Sequence, residues 1–127
     1  MSARPPYILL AEDDRDTREM YSEYLTYSGL EVITVPTGRR ALESARSHRP
    51  DVVVTDIAMP EMDGLELSRR LRANASTHDV PIIAVSGQAS ERAREAGADV
   101  VLDKPCEPDR LLHVIEDMLN RPHHDVR

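Results

Sequence analysis

The sequence predicts an α/β protein built on a doubly wound, five-stranded parallel sheet. Five short apolar runs alternate along the chain with five segments whose apolar residues recur at helical spacing. The run Val52 to Val54 is unbroken and β-branched, which suits a parallel strand covered on both faces. The loops between segments are short, so right-handed crossovers are expected to place helices on both faces of the sheet.

The strands are predicted from apolar runs bounded by charged residues, proline or glycine. The first ends in Glu12-Asp13-Asp14, the second is partly alternating and ends before Pro36, and the third ends at Asp56. The chain must leave the third strand before Pro60, because proline has no N–H to give to a ladder. In chain order the predicted strands are 7–11, 31–35, 52–56, 80–85 and 100–102.

The helices are predicted from helical spacing together with start and stop signals. Asp63 can cap the third helix, with Glu66 completing a capping box, and Pro108 suits the first turn of the last helix. The fourth helix is short and looks the least anchored. The predicted helices run from Asp14 or Asp16 to Ser28-Gly29, from Thr37-Gly38 to His48-Arg49-Pro50, over about 64–73, over roughly 90–96, and over 108–120.

Length and composition fit one small domain. The 127 residues leave room for a single core, and we expect a flexible segment at 1–6, the folded domain at 7–120 and a flexible tail at 121–127. Apolar residues make up 40% and charged residues 31%, which suits a folded core with a solvated surface. Phe and Trp are absent, so that core must be aliphatic.

Charge and cysteine content exclude several classes of function. The net charge of -7 argues against direct binding of nucleic acid, which depends on lysine and arginine replacing counterions. The single cysteine, Cys106, excludes an intramolecular disulfide. We find neither a signal peptide nor a run long enough to span a membrane, so a cytoplasmic protein with no membrane partner is expected.

Polar side chains stand where the predicted strands end. Glu12 and Asp13 follow the first strand, Asp56 ends the third, Ser86 follows the fourth and Lys104 follows the fifth. The carboxyl ends of parallel strands share one edge of the sheet, where ligands bind in open α/β folds. Crowded carboxylates without histidine or cysteine favour Mg²⁺. A phosphoryl group is the natural second ligand, with one carboxylate oxygen acting as the nucleophile.

Together these motifs resemble the receiver domain of two-component response regulators. The acidic pair is Glu12-Asp13, the phosphoacceptor is Asp56, the switch hydroxyl is Ser86 and the lysine-proline pair is Lys104-Pro105, while Met59-Pro60 and Met62-Asp63-Gly64 match the loop after the phosphoacceptor. The match runs from about Tyr7 to Asn120. The resemblance implies a flavodoxin-like (βα)5 fold with strand order 2-1-3-4-5.

The resemblance also implies a role for each of these residues. Asp56 would accept a phosphoryl group from a sensor histidine kinase or a histidine phosphotransfer protein. Asp13, Asp56 and the backbone carbonyl of Ala58 would bind Mg²⁺ directly, and Glu12 would act through water. Lys104 would contact one phosphoryl oxygen and Ser86 another, which would bias the domain towards a conformation that a downstream protein target reads.

Two further expectations come from the same source. The Lys104-Pro105 bond is expected to be cis. The domain would catalyse only its own phosphorylation and dephosphorylation, so it is not expected to be an enzyme in the ordinary sense.

Several of these residues also have an ordinary structural interpretation. Taken alone, Lys104 would be a solvated lysine at the sheet edge, and Ser86 before Gly87 would be turn chemistry. Asp14 and Asp63 fit helix caps better than metal ligands. The remaining candidates are assigned to packing or solvent: Cys106 to the core, Tyr27 to solvent, and His123-His124 to the tail.

The chain departs from the family pattern at two positions. Val101 stands where many receivers carry Tyr or Phe, three residues before the lysine, and valine cannot make the inward ring movement of that scheme. We therefore expect phosphorylation to be read out through the fourth helix and the loop before it. Cys106 stands where Phe is common, which leaves less bulk under the last helix.

Other functions stay open from the sequence. The chain is expected to be a stand-alone receiver or a receiver module of a larger hybrid kinase or regulator. A degenerate receiver could serve as a scaffold that is never phosphorylated, although a scaffold has no need of crowded carboxylates. A magnesium-dependent phosphatase that forms an aspartyl phosphate usually has a second aspartate two residues after the nucleophile, where this chain has Ala58.

Overall fold

A computed structural model describes residues 4–88 and 91–120 and confirms the predicted α/β fold. Five parallel strands form one sheet in the order β2-β1-β3-β4-β5. The strands are β1 (Tyr7–Ala11), β2 (Glu31–Val35), β3 (Val52–Asp56), β4 (Ile82–Ser86) and β5 (Val100–Asp103). The helices are α1 (Arg15–Tyr27), α2 (Gly38–Ser47), α3 (Gly64–Ala73), α4 (Glu91–Glu95) and α5 (Pro108–Leu119).

The three central strands are buried along their whole length, as their apolar runs predict. Leu9 of β1 pairs with Ile33 on one side and with Val53 on the other. β3 and β4 continue the ladder through Val54 and Ile83, and all carboxyl ends therefore reach the same edge.

Helices cover both faces of the sheet with aliphatic side chains. On one face α2, α3 and α4 bury alanines and leucines against β1, β3 and β4. On the other face α1 and α5 bury Tyr21, Leu25, Leu111 and Ile115. The core contains no Phe or Trp, because the chain has none.

Two helices begin at aspartate caps that the sequence predicts. Asp14 accepts the N–H of Thr17 at 2.9 Å, so it caps α1 in preference to Asp16. Asp63 caps α3 by accepting the N–H of Glu66 at 2.9 Å. The expected capping box is wrong in its second half, because the Glu66 carboxylate pairs with arginines of the following turn rather than returning to Asp63.

Several element boundaries differ from the prediction by one or two residues. β4 begins at Ile82 rather than Val80, because the Val80 N–H donates to the Thr77 carbonyl at 3.1 Å and Pro81 has no N–H. α4 begins at Glu91 and ends at Glu95, and the expected start at residue 90 lies outside the described residues.

Arg72, at the end of α3, ties the turn after α4 to the rest of the fold. Its guanidinium donates to the carbonyls of Gly97 at 3.1 Å and Val80 at 2.7 Å, and it pairs with Asp99 at 2.8 Å. The Asp99 carboxylate also accepts the N–H of Ile82 at 2.8 Å. α4 therefore has one buried residue of its own, Ala93, and a firm anchor at its carboxyl end.

The flexible segments expected at 1–6 and 121–127 fall largely outside the described residues, and so do His123 and His124. Within the described part, the Pro6 carbonyl accepts the N–H of Glu31 at 2.9 Å. No helix among the described residues is both long and apolar enough to cross a membrane.

Candidate functional site

The carboxyl edge of the sheet brings three of the predicted acidic residues together. Carboxylate oxygens of Glu12, Asp13 and Asp56 all lie within 4.8 Å of one another. Glu12 and Asp56 are each only 5% exposed, whereas Asp13 faces solvent. The cluster is therefore a half-open acidic pocket rather than a surface patch.

The acidic pair after β1 is held by backbone contacts. The Glu12 N–H donates to the Val35 carbonyl at 3.0 Å, and the Glu12 carboxylate accepts the N–H of Asp14 at 3.0 Å. Arg18 of α1 donates to the carbonyl of Glu12 at 2.9 Å and to that of Asp13 at 3.4 Å. These bonds fix the loop so that both carboxylates face Asp56.

Asp56 ends β3 at a point where α3 approaches closely. The Gly64 N–H donates to the Ile57 carbonyl at 2.8 Å, and a Cβ at Gly64 would lie 2.3 Å from the Asp56 carbonyl oxygen. The loop between them is held in the same way by α2, since a Cβ at Gly38 would lie 2.1 Å from the Met62 carbonyl oxygen. Glycine at both positions lets the helices begin directly against the end of β3 and the loop that follows Asp56.

Lys104 reaches into the pocket from the end of β5. Its Nζ lies 2.8 Å from Oδ1 of Asp56, and its backbone N–H donates to the Ser86 carbonyl at 2.8 Å. The Lys104-Pro105 peptide bond is cis, as predicted. Lys104 is the only lysine of the sequence, since all other basic residues among the 16 are arginines.

Burial and crowding change the protonation of the pocket. Burial, with the neighbouring charges of Asp56 and Asp13, raises the pKa of Glu12 from 4.5 to about 7, although the Asp14 N–H and Lys104 oppose this. Burial acts to lower the pKa of Lys104, but the hydrogen bond and charge of Asp56, with the charge of Glu12, outweigh it and raise that pKa. The pocket therefore has too little positive charge to balance three ionised carboxylates.

The two remaining predicted site residues, Ser86 and Ala58, lie at or just after the ends of β4 and β3. Ser86 is 5% exposed at the end of β4, but its hydroxyl donates to the Gln88 carbonyl and accepts the Gln88 N–H at 3.1 Å. This is the turn chemistry that the sequence allowed for Ser86. Ala58 is exposed two residues after Asp56, at the start of the loop that leads to α3.

The donor set fits a hard divalent cation. The three carboxylates supply oxygen ligands, and no histidine or cysteine of the described residues belongs to the group. Mg²⁺ prefers such ligands and commonly takes only one or two carboxylates together with other oxygen ligands. Positive charge at this point would also offset the carboxylate repulsion that adds to burial in raising the pKa of Glu12.

Sequence reasoning missed three residues that shape the pocket, Gly38, Gly64 and Arg18. The close approach of Gly38 and Gly64 to distant backbone leaves no local signal. Arg18 resembles any arginine in the first turns of a helix, although the carbonyls that it contacts lie only five and six positions earlier. For Lys104, which the sequence does predict as a site residue, there is a further signal, because it is the only lysine in a chain whose other positively charged side chains are arginines and histidines.

Comparison with known proteins decides the family. The family model of the response regulator receiver domain matches residues 8–116, most of the chain. The chain belongs to this family. This chain is therefore a receiver domain of two-component signalling. Receiver domains in general interact with histidine kinases and downstream targets.

The relatives and solved structures agree with that assignment. The polar-differentiation response regulator DivK of Brucella anthropi is 32% identical over 119 residues, which cover 91% of this chain and 97% of DivK. Response regulator MprA of Mycolicibacterium vanbaalenii is 38% identical, but the match covers only 52% of MprA and 92% of this chain.

Two solved structures show how closely the fold is shared. The chemotaxis response regulator CheY4 of Vibrio cholerae has a TM-score of 0.85 at 31% identity, with 91% of this chain and 99% of CheY4 covered. The receiver domain of a Pseudomonas aeruginosa sensor histidine kinase has a TM-score of 0.85 at 30% identity, with 92% and 99% covered. That receiver was solved with a magnesium ion coordinated in its active-site cleft.

Proposed function

We propose that this receiver domain accepts a phosphoryl group on Asp56 from a phosphohistidine of a sensor histidine kinase or a histidine phosphotransfer protein. One observation carries the proposal. A carboxylate that is only 5% exposed lies 2.8 Å from the sole lysine of the chain and within 4.8 Å of two further carboxylates. A purely structural ion pair would not need the two additional acidic groups, which repel Asp56.

The proposed transfer assigns a task to each residue. A carboxylate oxygen of Asp56 attacks phosphorus, the O–P bond forms, and the P–N bond to the donor histidine breaks with its electron pair kept by the imidazole nitrogen. Lys104 turns from Asp56 to a phosphoryl oxygen, which keeps a positive charge beside the group. Mg²⁺, held by Asp13, Asp56 and the Ala58 carbonyl, with Glu12 acting through water, would neutralise negative charge as it develops on the phosphoryl oxygens.

The proposed readout starts from the Ser86 hydroxyl. In the described conformation this hydroxyl is bonded to Gln88, so a phosphoryl oxygen at Asp56 would have to compete with the loop that precedes α4. Val101 pairs with Ala84 in the sheet and is only partly buried, with no ring to follow the serine inward. We therefore place the output at the loop before α4 and at α4 itself, where a downstream protein target in the cytoplasm would bind.

The first experiment is intact mass spectrometry after incubation with acetyl phosphate and Mg²⁺. The wild type should gain one phosphoryl group, and the gain should disappear without Mg²⁺ and in Asp56→Asn. Asp16→Asn, which alters an exposed aspartate of α1 outside the pocket, is the matched control and should be phosphorylated like the wild type. A folded wild type that takes no phosphoryl group under these conditions, or an adduct that persists in Asp56→Asn, would contradict the proposal.

A further inference from the structure

A buried tyrosine on α1 contacts the segment that follows Lys104. Tyr21 is 5% exposed, and its hydroxyl donates to the Cys106 carbonyl at 2.6 Å across 85 positions of sequence. Burial, together with the neighbouring Cys106 and Glu12, raises the pKa of Tyr21 to about 12. The hydroxyl therefore stays protonated near neutral pH and remains the donor in this bond.

The Cys106 carbonyl lies two residues after the lysine of the pocket. Lys104 is fixed on its amino side, where its N–H donates to the Ser86 carbonyl at 2.8 Å. Pro105 follows and has no N–H to offer. Glu107, at the N-cap of α5, makes no side-chain capping bond. The Tyr21 hydroxyl thus supplies a buried anchor on the carboxyl side of Lys104.

Helix α1 also contacts the loop that carries the acidic pair, Glu12 and Asp13. Arg18 lies three residues before Tyr21, so the two side chains leave α1 on neighbouring parts of one face. Arg18 donates to the carbonyls of Glu12 and Asp13 at 2.9 and 3.4 Å. One face of α1 therefore contacts both the loop with the acidic pair and the segment with the lysine.

We propose that Tyr21 is a positioning residue for Lys104, acting through the Cys106 carbonyl to hold the segment after β5 where Nζ reaches Asp56. The lysine stem has only four carbons, so the place of its backbone limits how often the ammonium can meet the carboxylate. Tyr21→Phe keeps the ring in the core and removes only the hydroxyl. The Cys106 carbonyl then loses its buried donor, and the segment can shift.

The first test needs no phosphoryl transfer. Because the chain has one lysine, protein labelled with ¹³C-lysine gives a single side-chain ε-carbon signal in an NMR spectrum, and that signal reports on Lys104. Asp56→Asn supplies the reference position for a lysine without its carboxylate partner. In Tyr21→Phe the signal should move part-way to that reference, whereas in Tyr27→Phe, which changes a 93% exposed tyrosine of the same helix, it should not move.

The second test rests on the proposed phosphoacceptor function. With saturating Mg²⁺, Tyr21→Phe should lower the rate of phosphorylation by acetyl phosphate by up to roughly 100-fold, the size expected when a catalytic group is misplaced by about 1 Å. Its Mg²⁺ affinity should match that of the wild type, because Glu12 and Asp13 are held by Arg18 instead. In a Lys104→Met background Tyr21→Phe should cause no further loss, since the group that it positions is absent.

The outcomes separate this inference from the function on which it builds. An ε-carbon signal in folded Tyr21→Phe that coincides with the wild-type signal would overturn the positioning role. An equal rate loss from Tyr21→Phe with Lys104 and with Met at that position would do the same, because it would show a general loss of structure. A wild type that is never phosphorylated would overturn the phosphoacceptor function, and the NMR comparison would still decide the role of Tyr21.

Discussion

At the scale of single residues, Glu12 carries the clearest conflict between burial and charge. Its carboxyl group is buried beside Asp56 and Asp13, and its pKa rises to about 7. The folded state therefore holds this proton more tightly than the unfolded chain does. Consequently the contribution of Glu12 to stability is present at low pH and is lost as the pH rises from about 4.5 to about 7.

We expect the free energy of unfolding of the metal-free protein to fall between about pH 4.5 and about pH 7, by an amount on the order of 3 kcal/mol from Glu12 alone. Asp14, Glu66 and Asp79 have lowered pKa values, so their contributions have the opposite sign and belong to the acidic end of this window and below it. Urea unfolding at several pH values measures the slope. Glu12→Gln should flatten it, and a slope unchanged by that substitution would refute the assignment.

Charged residues that follow apolar runs could be predicted from the sequence as candidates for the site. Residues whose contribution depends on contacts with distant parts of the chain could not. Asp56, Asp13 and Lys104 have charges whose placement after apolar runs already indicates a common edge. Tyr21 looks like any core aromatic at helical spacing, and its hydroxyl finds a partner 85 positions away only once α1 and α5 pack together. The position of Ser86 at the end of the fourth strand could be predicted, but the hydrogen-bond partner of its hydroxyl depends on the loop that follows.

At the scale of elements, the junction between β3 and α3 depends on the absence of a side chain at Gly64. Gly64→Ala would place a Cβ 2.3 Å from the Asp56 carbonyl oxygen, so the strand end or the helix must move. We expect a loss of about 1–3 kcal/mol in the free energy of unfolding, as for other overpacked sites, and weaker Mg²⁺ binding because Asp56 is displaced. Chemical denaturation and calorimetric titration with Mg²⁺ measure the two effects.

Gly87→Ala is the matched control for this prediction. It lies at the same edge of the sheet, and a Cβ there would have no neighbour within 4 Å. Its stability should stay within about 0.5 kcal/mol of the wild type, and its Mg²⁺ affinity should be unchanged. Equal losses in the two variants would show that the close contact at Gly64 is not the cause.

Local signals in the sequence predicted the presence of each helix and strand better than the residues at which it begins and ends. Helix caps at Asp14, Thr37 and Asp63 lie beside the residues that they cap, so the sequence contains the whole interaction. The prediction of a complete capping box was wrong because the Glu66 carboxylate forms ion pairs with Arg69 and Arg70, one turn further along the helix. The start of β4 was misplaced because a turn ending at Val80 competes for the N–H that a strand would use.

At the scale of the whole molecule, Mg²⁺ binding and folding should be linked. The three clustered carboxylates repel one another in the folded state and separate in the unfolded chain. A cation that binds only the folded state stabilises it, by about 2.7 kcal/mol when its free concentration is roughly 100 times Kd. We therefore expect the thermal midpoint to rise steadily with added Mg²⁺.

Asp13→Asn tests this linkage, because it removes one charge from the cluster without changing the size of the side chain. The metal-free variant should be more stable than the metal-free wild type, and Mg²⁺ should no longer raise its midpoint. Asp16→Asn keeps the cluster intact and should respond to Mg²⁺ as the wild type does. A midpoint that rises equally in all three proteins would point to a nonspecific salt effect instead.

The overall architecture could be predicted from the pattern of the sequence, except for the order of the strands in the sheet. Alternating strands and helices with short connections require a parallel sheet with two helical layers, and the structure has both. The order β2-β1-β3-β4-β5 was expected only through the resemblance to receiver domains, because apolar runs of similar length do not reveal their neighbours. The pairing that decides the order is a property of the packed molecule.

The single lysine has a practical consequence for anyone who handles this protein. Reagents that attach a dye, a surface or a cross-linker to amines have one side-chain target, and that target is the 39% exposed Lys104 beside Asp56. A sensor chip loaded through side-chain amines would therefore present molecules whose pocket faces the linker. Binding partners measured in that format would be expected to miss the site altogether.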